Sequence, residues 1–216
     1  MTTIGVLGAG KLGTVLARLS ISAGFRTLVA ASGDPGDIEL ILDVLAPGAV
    51  ARTAAQVAHE SDLVILALPL SNFRLVPAAG LTGKIVIDAM NYWSATDRTI
   101  NEFESAVSSS ELVQAHLSGS RVVKAFSHLG YHELDEDNRP AGAPDRHVIA
   151  VAGDDERAVR TVADVVDRFG FDPLIAGPLR SGASFGPGSA LFGVSTDRSN
   201  AQRMLNTEAV RAVHAQ

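Results

Sequence analysis

The sequence predicts an α/β protein built on a doubly wound, mostly parallel sheet with a short C-terminal extension. Short β-branched runs alternate with helical patterns along the chain, which is typical of βαβ units. Several runs, such as "LVILAL" and "KIVID", are continuously apolar, as expected of strands buried on both faces. A glycine-rich turn follows the first run. The length of 216 residues suits one such domain.

Strands are predicted at residues 3–7, 27–30, 49–52, 63–68, 84–88, 121–126, 147–151 and 173–175. Apolar residues at i, i+3, i+4 and i+7 predict a helix that begins at Pro35 with Asp34 as its cap. Those four residues are Ile38, Ile41, Leu42 and Leu45.

Two further helices follow the middle strands. Ser108 and Glu111 have the spacing of a capping box before "LVQAHL". A later apolar stripe predicts a helix ending at Gly170. Its members are Val159, Val162, Val166 and Phe169.

Composition excludes several classes of protein. Apolar residues make up 46% and charged residues 19%, which predicts a packed soluble fold. The net charge of −6 argues against a nucleic-acid partner. The chain has no cysteine, so disulfides and thiolate metal sites are excluded. The N-terminus lacks a basic leader and no apolar run approaches ~18 residues, so we expect a cytoplasmic protein with no membrane partner.

The first turn, "GAGKLG", indicates a dinucleotide site of Rossmann type. Gly8 permits the tight turn, Gly10 lets the backbone approach a pyrophosphate, and Gly13 lets helix and strand pack closely. The helix N-terminus offers free N–H groups and a positive dipole end to the phosphates. Lys11 and Leu12 are expected to touch the pyrophosphate there, largely through their backbone.

In such a sheet the ligand lies over the carboxyl ends of the strands. After the fourth strand, Leu68, Pro69 and Leu70 are expected to wall the nicotinamide ribose. After the fifth, the Asn91 carboxamide is placed to bond the nicotinamide amide.

After the sixth strand come His128 and Tyr131, the two candidate catalytic residues, among a concentration of aromatic and histidine side chains. His128 and His132 stand four residues apart, but the segment contains Gly130 and follows a strand, so helical spacing is not secure. We therefore predict no metal site.

Other reaction classes lack their motifs. No Tyr is followed four residues later by Lys, and no G-x-S-x-G elbow occurs. Too few residues follow Ala176 for the large helical domain of two-domain hydroxyacid dehydrogenases and pyrroline-carboxylate reductases.

The whole pattern resembles the coenzyme F-420-dependent NADP oxidoreductase family. The resemblance rests on "IGVLGAGKLGTVLARLSISAGFRTLVAAS", "SDLVILALPLSN", "GKIVIDAMN" and "AGPL". It implies a Rossmann domain over residues 1–180 and an extension over residues 181–216 that packs on the acceptor site. It also implies a homodimer, and hydride transfer between NADPH and a 5-deazaflavin, coenzyme F-420. In that tail, Ser181 and Ser184 are the adaptable donors.

The end of the second strand departs from the family. "LVAASGDPGD" lacks the arginine that the family commonly places beside Ser to grip the 2′-phosphate of NADP. The Asp or Glu that would favour NAD is also missing. We expect Ser32 and Arg52 to face that phosphate, because the second and third strands end at one sheet edge.

Two alternatives to deazaflavin reduction stay open. One is NADP-dependent reduction of a small carbonyl or imine, with His128 or Tyr131 as proton donor. The other is a non-catalytic sensor that binds NADP(H) and reports the redox state to a partner.

Overall fold

The computed structural model describes residues 1–93, 102–103 and 108–214, with side chains up to residue 208. Eight strands form one sheet in the order β3-β2-β1-β4-β5-β6-β7-β8. All neighbours pair in parallel except β6 and β7, which are antiparallel. The strands are β1 (Thr3–Leu7), β2 (Arg26–Ala30), β3 (Val50–Ala51), β4 (Leu63–Leu66), β5 (Ile85–Asp88), β6 (Arg121–Lys124), β7 (Val148–Gly153) and β8 (Asp172–Gly177). The predicted Rossmann-type α/β fold is confirmed.

Helices connect the strands on both faces of this sheet. They are α1 (Lys11–Ser22), α2 (Gly36–Leu45), α3 (Ala54–Glu60), α4 (Ala78–Leu81), α5 (Ser109–His116), α6 (Tyr131–Glu136), α7 (Glu156–Arg168) and α8 (Arg198–His214). Two 3₁₀ helices cover Leu70–Leu75 and Leu179–Phe185.

Each predicted strand is present, but three end earlier than expected, β3 by one residue at Ala51. β4 stops at Leu66, because the chain turns at Pro69 into the first 3₁₀ helix. β6 stops at Lys124, because Phe126 adopts a left-handed backbone with φ of 59° and leaves the extended conformation.

The α2 prediction is one residue early at its start and half correct for its buried face. Pro35 is the N-cap and Gly36 the first helical residue, while Asp34 Oδ1 accepts the Gly36 N–H at 2.8 Å. Ile38 and Leu42 are buried. Ile41 and Leu45, predicted on the same face, are 42% and 45% exposed. These two side chains are exposed because α2 packs at the edge of the sheet, where β3 has only two residues.

One predicted helix cap is wrong, whereas the predicted apolar stripe of a later helix is confirmed. The predicted capping box at Ser108 does not form, because its side chain makes no cap bond and lies against the position of Gly182. The apolar stripe of the later helix α7 is buried, as predicted. Its cap, which was not predicted, is Asp155, which accepts the Ala158 N–H at 2.7 Å.

The core has one layer on each face of the sheet. Val6 and Ile65 pack in one cluster with α1 and α7, while Leu66 packs in the other with α3 and α5, as strand alternation requires. A third cluster joins β7 and β8 to the C-terminal segment through Phe185, Leu191, Ala201 and Leu205. This segment therefore shares the core of the sheet.

Across the residues that the structure describes, no helix has both the length and the apolarity that crossing a membrane would need.

Gly13→Ala should destabilise the fold. A Cβ at Gly13 would lie 1.8 Å from the Gly8 carbonyl oxygen, so α1 would have to move away from the turn. We expect a loss of about 2 kcal/mol in the free energy of unfolding, measured by urea denaturation. Gly186→Ala is the control, because its nearest contacts begin at 3.5 Å. Equal stability of both variants would contradict the close packing at Gly13.

Candidate functional site: two cavities at the carboxyl edge of the sheet

A cavity of about 570 Å³ lies at the carboxyl ends of β1, β2 and β4. Its volume is within the ~300–1,000 Å³ of ordinary ligand pockets. Five residues predicted to bind the cofactor line it: Gly8, Gly10, Ser32, Leu68 and Pro69. We refer to it as the first cavity.

The three glycines of the first turn have three different surroundings. Gly8 has a φ of +121°, and a Cβ there would lie 2.1 Å from the Ala67 carbonyl oxygen. A Cβ at Gly13 would lie 1.8 Å from the Gly8 carbonyl oxygen, so no side chain fits there. Gly10 has nothing within 4 Å of its Cβ position, so its open side faces the cavity. This is the geometry that a close approach of a phosphate to the backbone requires.

The N-terminus of α1 follows directly, with Gly10 as N-cap and no side chain closing it. The first-turn N–H groups of a helix have no intrahelical partner, so they are available to an anion. The Leu12 side chain packs against the core, and Lys11 Nζ donates to the Tyr131 hydroxyl at 3.1 Å. Both side chains thus have partners of their own, and the prediction that Lys11 and Leu12 contact the pyrophosphate largely through their backbone stays a prediction.

At the ribose end, Ala30, Ala31 and Ser32 line the first cavity. Arg52 follows β3 at the same sheet edge, as predicted, but the structure does not bring it into the cavity. Its Nη1 donates to the Ala51 carbonyl at 2.9 Å, and its Nε lies 3.9 Å from Glu60 Oε1. Arg52 thus lies outside the lining of the first cavity and beside Glu60, and its contact with the phosphate stays a prediction.

Leu70 also departs from its prediction. It begins the first 3₁₀ helix, which turns its side chain into the apolar cluster beside α3, where it is fully buried. It contributes to the core, and the wall of the cavity at this exit consists of Leu68 and Pro69.

Beyond β5, only one of the two polar atoms of the Asn91 carboxamide has a hydrogen-bond partner. Its Nδ2 donates to the Ser127 carbonyl at 2.6 Å, whereas its Oδ1 is buried without a hydrogen-bond partner. The Ser127 hydroxyl is likewise buried and unpartnered. Buried polar atoms are normally satisfied, so an unfilled acceptor of this kind indicates a place for a ligand donor.

The surroundings of His128 bear on its predicted role as a proton donor. It is buried, and its Nε2 donates to the Val148 carbonyl at 3.2 Å, because a carbonyl oxygen can only accept. Burial lowers the pKa of His128 to about 4, against the smaller opposing effect of that hydrogen bond. The ring is neutral at pH 7 and its one proton is held by the backbone, so this geometry does not favour proton donation, and the catalytic role of His128 stays a prediction.

Tyr131 opens α6 and stays beside the turn of the first cavity. Its hydroxyl accepts from Lys11, and its ring stacks on His132 with centroids 4.2 Å apart. His128 lies before the helix and is buried, whereas His132 is exposed in the first turn of α6. Among the described residues, no group of three His, Cys, Asp or Glu is placed to hold a metal ion.

The sequence reasoning missed a buried ion pair. Lys124 Nζ lies 3.4 Å from Asp88 Oδ2, and both side chains are almost completely buried. Ser110 donates to the same carboxylate oxygen at 2.6 Å. Burial lowers the pKa of Lys124, while the charge and hydrogen bond of Asp88 raise it. The signal was present, since the last residues of two adjacent parallel strands, Asp88 and Lys124, are opposite in charge and directly paired.

A second cavity of about 200 Å³ opens beside this pair. Its polar lining comes from Asn91, Ser108, Ser109 and Lys124, and the second 3₁₀ helix contributes Gly182. Ser108 is 5% exposed. None of the residues that line the first cavity lines the second.

A family model described as "NADP oxidoreductase coenzyme F420-dependent" matches residues 3–92, which carry the first cavity and Asn91. The resemblance predicted from the sequence is confirmed over these residues, and the chain has a Rossmann-type fold.

Solved structures share the fold over a longer span. A hypothetical protein from Sinorhizobium meliloti is 28% identical with a TM-score of 0.80, over 91% of this chain and 95% of that chain. A candidate F420-dependent NADP-reductase from Arthrobacter sp. FB24 is 21% identical with a TM-score of 0.72, over 100% and 94% of the two chains. An imine reductase from Pseudomonas sp. is 18% identical with a TM-score of 0.56, over 82% and 56%. The last two likenesses concern the fold alone.

Gly10→Val should abolish NADPH binding and leave the protein folded. The side chain would fill the open side of Gly10, where no protein atom lies within 4 Å. We expect NADPH affinity to fall at least about a hundredfold, because the phosphates lose their approach to the backbone. Calorimetric titration measures the affinity and circular dichroism checks the fold. Unchanged NADPH binding would refute the assignment of this loop.

The pH dependence of stability should carry a contribution from His128. Its pKa rises from about 4 in the folded protein to 6.5 on unfolding, so between these values the unfolded chain binds a proton that the folded chain does not. Stability is therefore lost as the pH falls from 6.5 towards 4, by about 2–3 kcal/mol at pH 4.5. Urea unfolding at pH 7 and pH 4.5 should show a smaller difference for His128→Gln than for the parent. The same difference in both proteins would contradict the neutral buried ring.

Proposed function

We propose that this protein transfers a hydride between NADPH and a 5-deazaflavin of the coenzyme F-420 type. NADPH occupies the first cavity, with its pyrophosphate at Gly10 and its nicotinamide directed towards Asn91. The acceptor approaches through the second cavity, under the segment that begins with the second 3₁₀ helix. Residues 181–216 then act as the extension that completes the acceptor site.

The observation that carries this proposal is the position of Asn91 at the carboxyl end of β5. Asn91 lines the second cavity, and β5 is the neighbour of β4, whose exit walls the first cavity. The free Oδ1 of Asn91 is an acceptor for the N–H₂ of a nicotinamide carboxamide. A nicotinamide held there meets a hydride acceptor in the neighbouring cavity, and proximity supplies most of the catalysis.

The proposed chemistry also agrees with the state of His128. Hydride passes directly between two carbons, so no proton relay is needed at the reacting centre. The neutral, backbone-bound His128 supports such a mechanism.

A second candidate is the reduction of a small carbonyl or imine. It is favoured by Tyr131, whose hydroxyl accepts from Lys11 and keeps its own proton to donate. With His128 neutral, Tyr131 is the proton donor that this alternative requires. The sensor alternative receives no support from the match of residues 3–92 to an oxidoreductase family model.

The test mixes the protein with NADPH and oxidised deazaflavin and follows the loss of deazaflavin absorbance. We expect reduction in the parent, and at most about a threefold loss of rate in Tyr131→Phe, because no proton relay is used. A loss of about three orders of magnitude in Tyr131→Phe would instead favour general acid catalysis. Failure to reduce deazaflavin, with turnover of a carbonyl or imine, would establish the second candidate.

NADPH should be preferred to NADH moderately. Ser32 can donate one bond to the 2′-phosphate, whereas Arg52 must first leave Glu60 and the Ala51 carbonyl. We expect a preference of about 1.4 kcal/mol, or tenfold, in titrations of both nucleotides.

Two variants separate the contributions to this preference. Arg52→Ala should weaken NADPH alone, and Ser32→Asp should move the preference towards NADH, because a carboxylate holds the ribose hydroxyls and repels the phosphate. Equal weakening of both nucleotides by Arg52→Ala would exclude its role in phosphate binding. A parent that prefers NADH would refute this account of the ribose end.

We further infer that the protein is a homodimer, as its resemblance to the family implies. Sedimentation equilibrium distinguishes a dimer from a monomer.

A further inference from the structure

Two buried charges bind the backbone next to Asn91. Lys124 Nζ donates to the Met90 carbonyl, and its side chain is 3% exposed. Asp88 Oδ1 accepts the Met90 N–H at 2.9 Å. The pair therefore engages both backbone polar groups of Met90.

This arrangement fixes the start of the loop that follows β5. The Met90 N–H and carbonyl belong to the two peptide planes on either side of its Cα, and the second of these planes leads into Asn91. Peptide planes are rigid, so holding both leaves little freedom in the direction of the Asn91 Cα. The Asn91 Nδ2 is then tied to the Ser127 carbonyl, which leaves Oδ1 as its free acceptor.

Stability alone does not account for the buried pair. Replacing a buried ion pair by apolar groups is often neutral or stabilising, because both charges lose their hydration. Fixing one conformation is a better-supported use of such groups. Here the conformation that is fixed is that of the loop carrying Asn91.

We propose that Asp88 and Lys124 are positioning residues: they hold the backbone of Met90 so that Asn91 Oδ1 meets the nicotinamide carboxamide of NADP(H). The proposal rests on the proposed function for the place of the nicotinamide. It adds that recognition at this end depends on two side chains that do not touch the nucleotide.

The test compares NADPH with 2′-phospho-ADP-ribose, which has the same phosphates and adenosine but no nicotinamide. Lys124→Met should weaken NADPH about tenfold, the loss expected for one misplaced hydrogen bond. The Kd of 2′-phospho-ADP-ribose should change less than about twofold. Equal weakening of both compounds, or of neither, overturns the positioning role.

A second variant guards against misfolding. Lys124→Met leaves the Asp88 carboxylate buried and unpaired, so the double variant Asp88→Asn with Lys124→Met removes both charges. The amide oxygen of the new Asn still accepts the Met90 N–H, while the contact of residue 124 with the Met90 carbonyl is lost. The same selective loss of NADPH affinity is expected.

The matched control is Arg121→Met. Arg121 stands at the other end of β6, where its Nη2 donates to the Gly83 carbonyl, the same kind of contact at the edge remote from both cavities. Neither Kd should change. A selective loss of NADPH affinity in this control would overturn the proposal.

A double-mutant cycle shows whether Lys124 acts through Asn91. Asn91→Ala should weaken NADPH about tenfold in the parent and less than about twofold in the Asp88→Asn, Lys124→Met background. Full additivity overturns the positioning role. If the parent binds 2′-phospho-ADP-ribose as tightly as NADPH, the nicotinamide adds no affinity, and this result also overturns the positioning role. A parent that binds neither compound contradicts the proposed function itself, and the positioning role with it.

Discussion

The contact between Gly13 and the Gly8 carbonyl is the constraint on which the rest of the molecule depends. No side chain fits between them, and Gly8 is itself pressed against the backbone that follows β4. Strand β1, its turn, α1 and the β4 exit are thereby fixed as one unit. Both the opening beside Gly10 and the wall at Leu68 result from this close approach. Core packing and the shape of the first cavity thus have the same physical origin.

The polar groups at the other end of the site are arranged by a different means. Around Asn91 the structure relies on buried hydrogen bonds and one ion pair, because β5 and β6 end there and backbone pairing stops. The left-handed Phe126 turns the chain so that the Ser127 carbonyl meets the Asn91 amide. A positive φ is costly for a bulky residue, and such conformations concentrate at functional sites.

Strand positions followed from the sequence because alternating and continuous apolar runs report burial directly. The glycine turn was equally predictable, because its G-x-G-x-x-G spacing lies within six residues of sequence. The contacts of individual side chains could not be predicted from the sequence. Three residues lie at the predicted strand exits, but their side chains go elsewhere. The His128 side chain is directed by the Val148 carbonyl and that of Arg52 by Glu60. The Leu70 side chain enters the apolar core. Those partners are distant in sequence or depend on a local turn, so pattern alone did not reveal them.

The separation of the two cavities has an evolutionary consequence. Their walls share no residue, and the family match ends at residue 92, close to the boundary between them. Part of the second cavity is lined by the chain after β8, through Gly182, Ala183, Gly186 and Pro187. Insertions or exchanges in that segment can reshape the second cavity without disturbing the glycine turn. The two cavities can therefore diverge independently in evolution, because a substitution in the lining of one leaves the lining of the other unchanged.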